Sequence, residues 1–215
     1  MQNQNMKVIG VLLFLSITLG VVSQTQIVIK PTSLDTLINY ENTIESISKG
    51  FQYFNPYHDE DFEDAYEQWP NVLNKPLIYK RTNDDFYPTL HAWYFYDKDS
   101  TVKWIYYRWG FGNTKVLASD HEITRQTLRK EDFKNKYQIE KEYLKSILGK
   151  PTIENEKEET DSYLSLKTIW DLSEKRIVIN MLVDKEVIEF EVKETGKTIK
   201  IPRSKIEIRV LTKEK

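Results

Sequence analysis

The chain has 215 residues, 31 Lys plus Arg against 33 Asp plus Glu, no cysteine, and 5 Trp, 13 Tyr and 9 Phe. A net charge of −2 excludes the cationic footprint of a nucleic-acid binder and the polybasic patch that holds a protein on an anionic membrane surface. The missing cysteine excludes disulfides, thiolate chemistry, zinc–thiolate sites and the acylated cysteine of a lipoprotein.

The first segment reads as a cleavable export signal. Lys7 precedes the apolar run Val8 to Val22, and Val21-Val22-Ser23 supplies the short uncharged side chains a signal peptidase needs. Cleavage is expected between Ser23 and Gln24. The run is 15 residues and includes Ser16, Thr18 and Gly20, whereas a spanning helix needs about 20 mostly apolar residues. Removing residues 1–23 leaves 192 residues with a net charge of −3, because Lys7 is the one charge lost. At that size folding buries about 70% of the chain's surface, enough for one domain or two small ones. The mature chain is expected outside the cytoplasm, periplasmic or secreted, unlipidated and with no transmembrane segment.

In the mature part, Thr32-Ser33 is placed to cap a helix with apolar positions Leu34, Leu37, Ile38, Ile44 and Ile47 and Gly50 as its stop. An aromatic loop, Phe51 to Tyr57, leads to a second helix from about Asp59–Asp61 that carries Phe62, Ala65, Tyr66 and Trp69 and is ended by Pro70. Residues 77–118 read as strands, with Leu90–Tyr96 and Val102–Trp109 joined by the turn Asp97-Lys98-Asp99-Ser100. A helix is predicted over Lys130–Leu148, with Phe133, Tyr137, Leu144 and Leu148 on one stripe, Gly149 at its C-cap and Pro151 beyond. After the charged stretch Glu154–Asp161, alternating residues from Leu164 to Val210, with turn signals at Asp184-Lys185 and Glu194-Thr195-Gly196-Lys197, predict an antiparallel meander.

The two halves, 24–120 and 121–215, look alike. Leu73-Asn74-Lys75-Pro76 and Leu148-Gly149-Lys150-Pro151 lie 75 residues apart, and each precedes a Trp-bearing strand (Trp93, Trp170) and then a strand beginning at Val102 or Ile177. The expected fold is therefore α+β, two helix-plus-antiparallel-sheet units in tandem; the alternative is one domain with a single curved antiparallel sheet and packed helices. On the Leu-Gly-Lys-Pro motif and this layout, residues 60–212 resemble the tandem unit of the β-lactamase inhibitor protein and the small lipoprotein of the outer-membrane assembly machinery. That resemblance implies exported α+β interaction modules. The chain departs from both in lacking cysteine, and no binding residue carries over.

Motifs for chemistry are sparse. His58-Asp59-Glu60-Asp61 with Glu63 and Asp64 offers oxygen ligands for a hard cation, but it lacks a calcium-loop glycine and reads instead as the acidic start of a helix. Asp97 to Arg108 begins like a calcium loop and ends on a cation, so it reads as a hairpin turn. His58, His91 and His121 have no ligand-spaced partner, and no nucleophile elbow or phosphate-binding glycine loop is present. No metal, cofactor or catalytic residue is assigned.

One constellation stands out. Nine aromatic residues lie between Trp93 and Phe111, so both faces of that hairpin are aromatic. One face is expected to pack on the helices; the other is either an inter-unit core or open to a partner. Tyr94, Tyr96, Trp104, Tyr106 and Arg108 are the candidate binding residues, suited to a protein surface or a sugar ring. The functional expectation is an exported, non-catalytic binding module, most simply protein-binding, with an envelope assembly factor and a small secreted hydrolase as alternatives.

Overall fold

The computed structural model of the chain describes residues 27–30, 32–51, 75–82, 86–110, 129–185, 188–192, 197–201 and 204–213. Among them are two helices, α1 (Leu34–Thr43) and α2 (Lys130–Leu148), and ten strands. The strands are β1 (Ile47–Phe51), β2 (Leu77–Arg81), β3 (Leu90–Tyr96), β4 (Val102–Gly110), β5 (Ile153–Glu159), β6 (Tyr163–Asp171), β7 (Lys175–Asp184), β8 (Ile188–Val192), β9 (Lys197–Ile201) and β10 (Lys205–Thr212). The predicted helix over 59–70, the acidic cluster at 58–64 and the boundary at 120/121 lie outside the described residues. None of the described helices is long and apolar enough to cross a membrane.

Helix α1 begins where the sequence places its cap: the Ser33 Oγ accepts from the Thr36 N–H at 3.2 Å. Its inward positions are Leu34, Leu37 and Glu41, so the third position on the apolar stripe is a carboxylate. The helix ends at Thr43 instead of running to Gly50. Glu45 takes a left-handed φ of 55°, and the chain leaves as strand β1. The missing i+3/i+4 apolar residue after Ile38 explains the early stop, because Glu41 is committed to an ion pair and Asn42 offers no contact to extend the stripe.

Helix α2 spans the residues its periodicity predicts, and Phe133, Tyr137 and Leu144 are buried. It ends at Gly149, whose φ of 80° and ψ of −157° suit glycine alone and whose N–H closes on the Lys145 carbonyl at 2.9 Å. A Cβ there meets no neighbour, so the cost of Gly149→Ala is purely conformational. We expect a loss of about 1–3 kcal/mol in a urea titration.

Eight strands form one antiparallel sheet in the order β1-β2-β3-β4-β10-β7-β6-β5, and β8 and β9 form a separate hairpin. This departs from the tandem layout. Strand β10 pairs along most of its length with both β4 and β7, so the strands belong to one sheet instead of two. The predicted meander is also interrupted: β7 and β10 are neighbours whose connection contains the β8–β9 hairpin. Both helices pack on one face, over Leu77, Tyr79, Leu90, Ala92, Tyr94, Ile105, Tyr107, Trp109 and the alternating apolar residues of β6, β7 and β10.

The sheet's two edges differ. Strand β5, read from sequence as a solvated stretch, is an edge strand with every residue exposed and five charged side chains in seven. Charged edges of this kind discourage strand-to-strand pairing. The other edge, β1, carries Lys49 as its one charge and exposes Ile47 (47%) and Phe51 (57%).

Candidate functional site in the aromatic hairpin

The hairpin β3–β4 turns where the sequence predicts. The Asp97 carboxylate accepts from the N–H groups of Asp99 and Thr101, both at 3.0 Å, and Ser100 adopts a φ of 58°. The register next to the turn is Tyr96 opposite Val102, but the next pair is Phe95 opposite Trp104. Lys103 is thus an extra residue, a β-bulge. Its carbonyl accepts from the Thr212 hydroxyl at 2.7 Å, and its ammonium lies 3.3 Å from Asp97.

That one residue separates the predicted binding set. Without the bulge, Tyr94 and Trp104 would face each other on the same side; with it, Tyr94 pairs with Ile105 and Trp93 with Tyr106. Tyr94 and Tyr96 lie on the helix-covered face, and Trp104, Tyr106 and Arg108 lie on the opposite one. The five residues therefore do not form one contact surface. Tyr94, Trp104 and Tyr106 are 0%, 1% and 3% exposed, so their rings are interior on both faces. Tyr96 keeps a partly exposed ring, in edge contact with exposed Phe51 at 6.1 Å between centroids.

Each face instead carries a buried charge cluster that sequence reading missed. On the helix side, Arg81 from β2 presents its Nε to both Glu41 oxygens, at 3.1 and 3.2 Å. The Tyr94 hydroxyl donates to the same carboxylate, and the guanidinium also reaches that hydroxyl at 3.0 Å. The Tyr107 ring lies 5.1 Å from the guanidinium centre. Burial, with Tyr107, pushes the Tyr94 phenol well above its ordinary range against the pull of Arg81. The cluster ties α1 to β2 and β3, and both partners of the ion pair are at most 1% exposed.

On the other face, Glu207 of β10 is fully buried and faces Arg108 across the β10–β4 ladder, with Arg209 facing Tyr106. The Tyr106 hydroxyl donates to the Glu207 carboxylate. Lys205 and Arg209 contact it at 2.7 and 2.9 Å, and the Arg108 Nε lies 3.7 Å away. Burial alone would raise the Glu207 carboxyl; Arg209, Lys205 and Arg108 overcome it and hold it at about 2. Gly110 makes the approach of these cations possible, because a Cβ there would stand 2.9 Å from the Lys205 Cβ and 3.2 Å from the Arg108 Nε. His91, opposite Arg108, has its imidazole pushed down, first by burial and then by Lys80.

A sequence signal for these clusters existed in part. Glu207 and Arg209 alternate with Ile206, Ile208 and Val210, which reads as a strand with one wet face. Their burial depends on which strand lies alongside, and alternation carries no information on that. Comparison of the chain with protein-family models, curated proteins and solved structures returns no match.

Proposed function

We propose that this chain is an exported, non-catalytic binding module whose partner is another protein, received as an added strand along β1. The observation that carries this reading is the contrast between the two sheet edges. An open strand edge offers a row of main-chain donors and acceptors to an extended segment, and side-chain pockets beside it give specificity. Edge β5 is screened by charge, whereas β1, which pairs with β2 alone among the described residues, brings the exposed Ile47 and Phe51 beside the one predicted binding residue with an accessible ring, Tyr96. The buried carboxylates Glu41 and Glu207 support a binding role over a catalytic one, since each is already bound by cations and a tyrosine.

We further read the fold as two runs, α1-β1-β2-β3-β4 and α2-β5-β6-β7-β10, related by an approximate two-fold axis normal to the sheet between β4 and β10. The strand order and the antiparallel β4–β10 pairing support it. This equivalence matches β3 with β7, not with β6, so it differs from the 75-residue offset. Trp93 and Trp170, the tryptophans of the two strands that the offset aligns, lie on opposite faces.

The test uses the tagged mature chain in extracts of its own envelope, with a photo-cross-linking residue at position 51 or at position 156. Adducts to a defined partner at 51 and none at 156 are expected. Phe51→Asp is expected to weaken capture of that partner by about tenfold or more, the scale of burying one aromatic side chain. Its thermal midpoint should stay within about 2 °C of the parent, as for a surface change. Ile139→Glu, an exposed position on α2, is the control and should leave capture intact. Cross-linking from 156 alone, or loss of capture through Ile139→Glu alone, would refute the β1 placement.

A further inference from the structure

The two ends of the sheet carry opposite charge. Strands β1 to β4 contain no Asp or Glu, only Lys49, Lys80, Arg81, Lys103 and Arg108 beside His91. Strand β5, at the far edge, carries Glu154, Glu156, Glu158 and Glu159 against Lys157. Three of the cations are answered from other elements: Arg81 by Glu41 of α1, Lys103 by Asp97 of the turn and Arg108 by Glu207 of β10. Lys80, half-buried on β2, has no hydrogen-bond or ion-pair partner among the described residues.

Register places that cation one strand in from the edge. Ile47 stands opposite Lys80, Lys80 opposite His91, His91 opposite Arg108, and Arg108 opposite Glu207. Residues paired in this way share a face, here the face away from the helices. Inward of Lys80 the row offers an imidazole and a guanidinium before any carboxylate; outward it offers Ile47 and then the edge. A strand added to β1 would set the residue opposite Ile47 two strand spacings, about 10 Å, from the Lys80 backbone. The lysine's flexible four-carbon stem and a glutamate side chain close that gap between them.

The other face asks for different chemistry. Lys49 is an extra residue between the pairs Ser48–Tyr79 and Gly50–Ile78, so Phe51 falls on the helix-covered face, opposite Leu77 and against Tyr96. We infer that the segment received along β1 is an extended acidic one, with Glu or Asp on the Lys80 face and apolar side chains on the Phe51 face. Edge β5 repels such a segment with its own carboxylates, so charge directs it to one end of the sheet. This inference rests on the strand-addition reading above and adds the chemistry of the partner.

The test uses two labelled, end-blocked peptides of about eight residues, one alternating glutamate with leucine and a twin with lysine in place of glutamate. Each is titrated onto the purified protein by fluorescence anisotropy. The acidic peptide is expected to bind at least about tenfold more tightly than its twin, and Lys80→Glu to reverse that order. Lys80→Met, which removes the charge and keeps most of the stem, should narrow the preference, and Phe51→Ala should weaken both peptides. Equal affinities for the twins, no binding of either, or an order unchanged in both Lys80 variants would overturn the acidic-segment inference and leave the β1 reading to the cross-link at position 51. Acidic-peptide binding that Phe51→Ala leaves untouched would overturn the β1 reading and this inference with it. Adducts from position 51 to a second copy of the chain would make its own acidic β5 the occupant and overturn a separate acidic partner.

Discussion

Replacing Trp104 with alanine is expected to lower stability by about 3–5 kcal/mol, the cost of truncating a buried tryptophan and leaving a cavity. For a chain of this size each kcal/mol moves the thermal midpoint by about 2–4 °C, so a fall of roughly 10 °C is the expected result. The indole is 1% exposed, pairs with Phe95 across β3–β4 at 5.8 Å between ring centroids, and faces Leu211 across β4–β10. Were Trp104 and Tyr106 part of an open binding face, the other reading of the hairpin from sequence, Trp104→Ala or Tyr106→Ala would instead abolish partner capture with the midpoint held within a few degrees. Calorimetry of Trp104→Ala beside Phe51→Asp separates the two: the first should lose stability and, once folded, keep its partner, and the second the reverse. A midpoint for Trp104→Ala within about 2 °C of the parent would show that the indole is not core.

Glu207→Gln is expected to be comparably severe. It removes the charge shared by Arg108, Lys205 and Arg209, and breaking a buried ion cluster from one side costs about 3–5 kcal/mol. Its pH dependence is the sharper signature. The folded carboxyl is held at about 2, below its ordinary value of 4.5. A carboxyl depressed on folding contributes stability that is fully present above its unfolded value and is lost as pH falls through the folded one. Here that contribution is about 3 kcal/mol above about pH 5, declining toward about pH 2. Urea midpoints measured at neutral pH and near pH 3 should therefore differ less in Glu207→Gln than in the parent. Parallel pH profiles would show that Glu207 is not the group responsible.

Much of the fold was legible because it depends on neighbours in the chain. Ser33 as a cap, the α2 stripe from Phe133 to Leu148, Gly149 as its stop and the Asp97–Ser100 turn are each decided within a few residues, by hydrogen-bond partners that are local. Strand residues were found for the same reason, since alternation in β6, β7 and β10 repeats every second position. What could not be read is which strands meet. Placing β10 between β4 and β7 turned two expected units into one sheet. The same pairing buried Glu207 and Arg209, which alternation had assigned to water. Likewise Glu41 and Arg81 are 40 residues apart, and only the packing of α1 on β2 and β3 makes them partners.

The candidate site shows the same division at its finest scale. The sequence determined by itself that Leu90–Tyr96 and Val102–Trp109 form a hairpin, that both its faces are aromatic, and that a polar turn closes it. With no cysteine, it also leaves the molecule without disulfides to brace it. The tertiary structure alone decided which aromatic side chains share a face. A strand's side chains alternate with a period of two, so a single extra residue, Lys103, inverts every position beyond it. That bulge is held by Thr212, more than 100 residues away, through a hydrogen bond that no local pattern encodes.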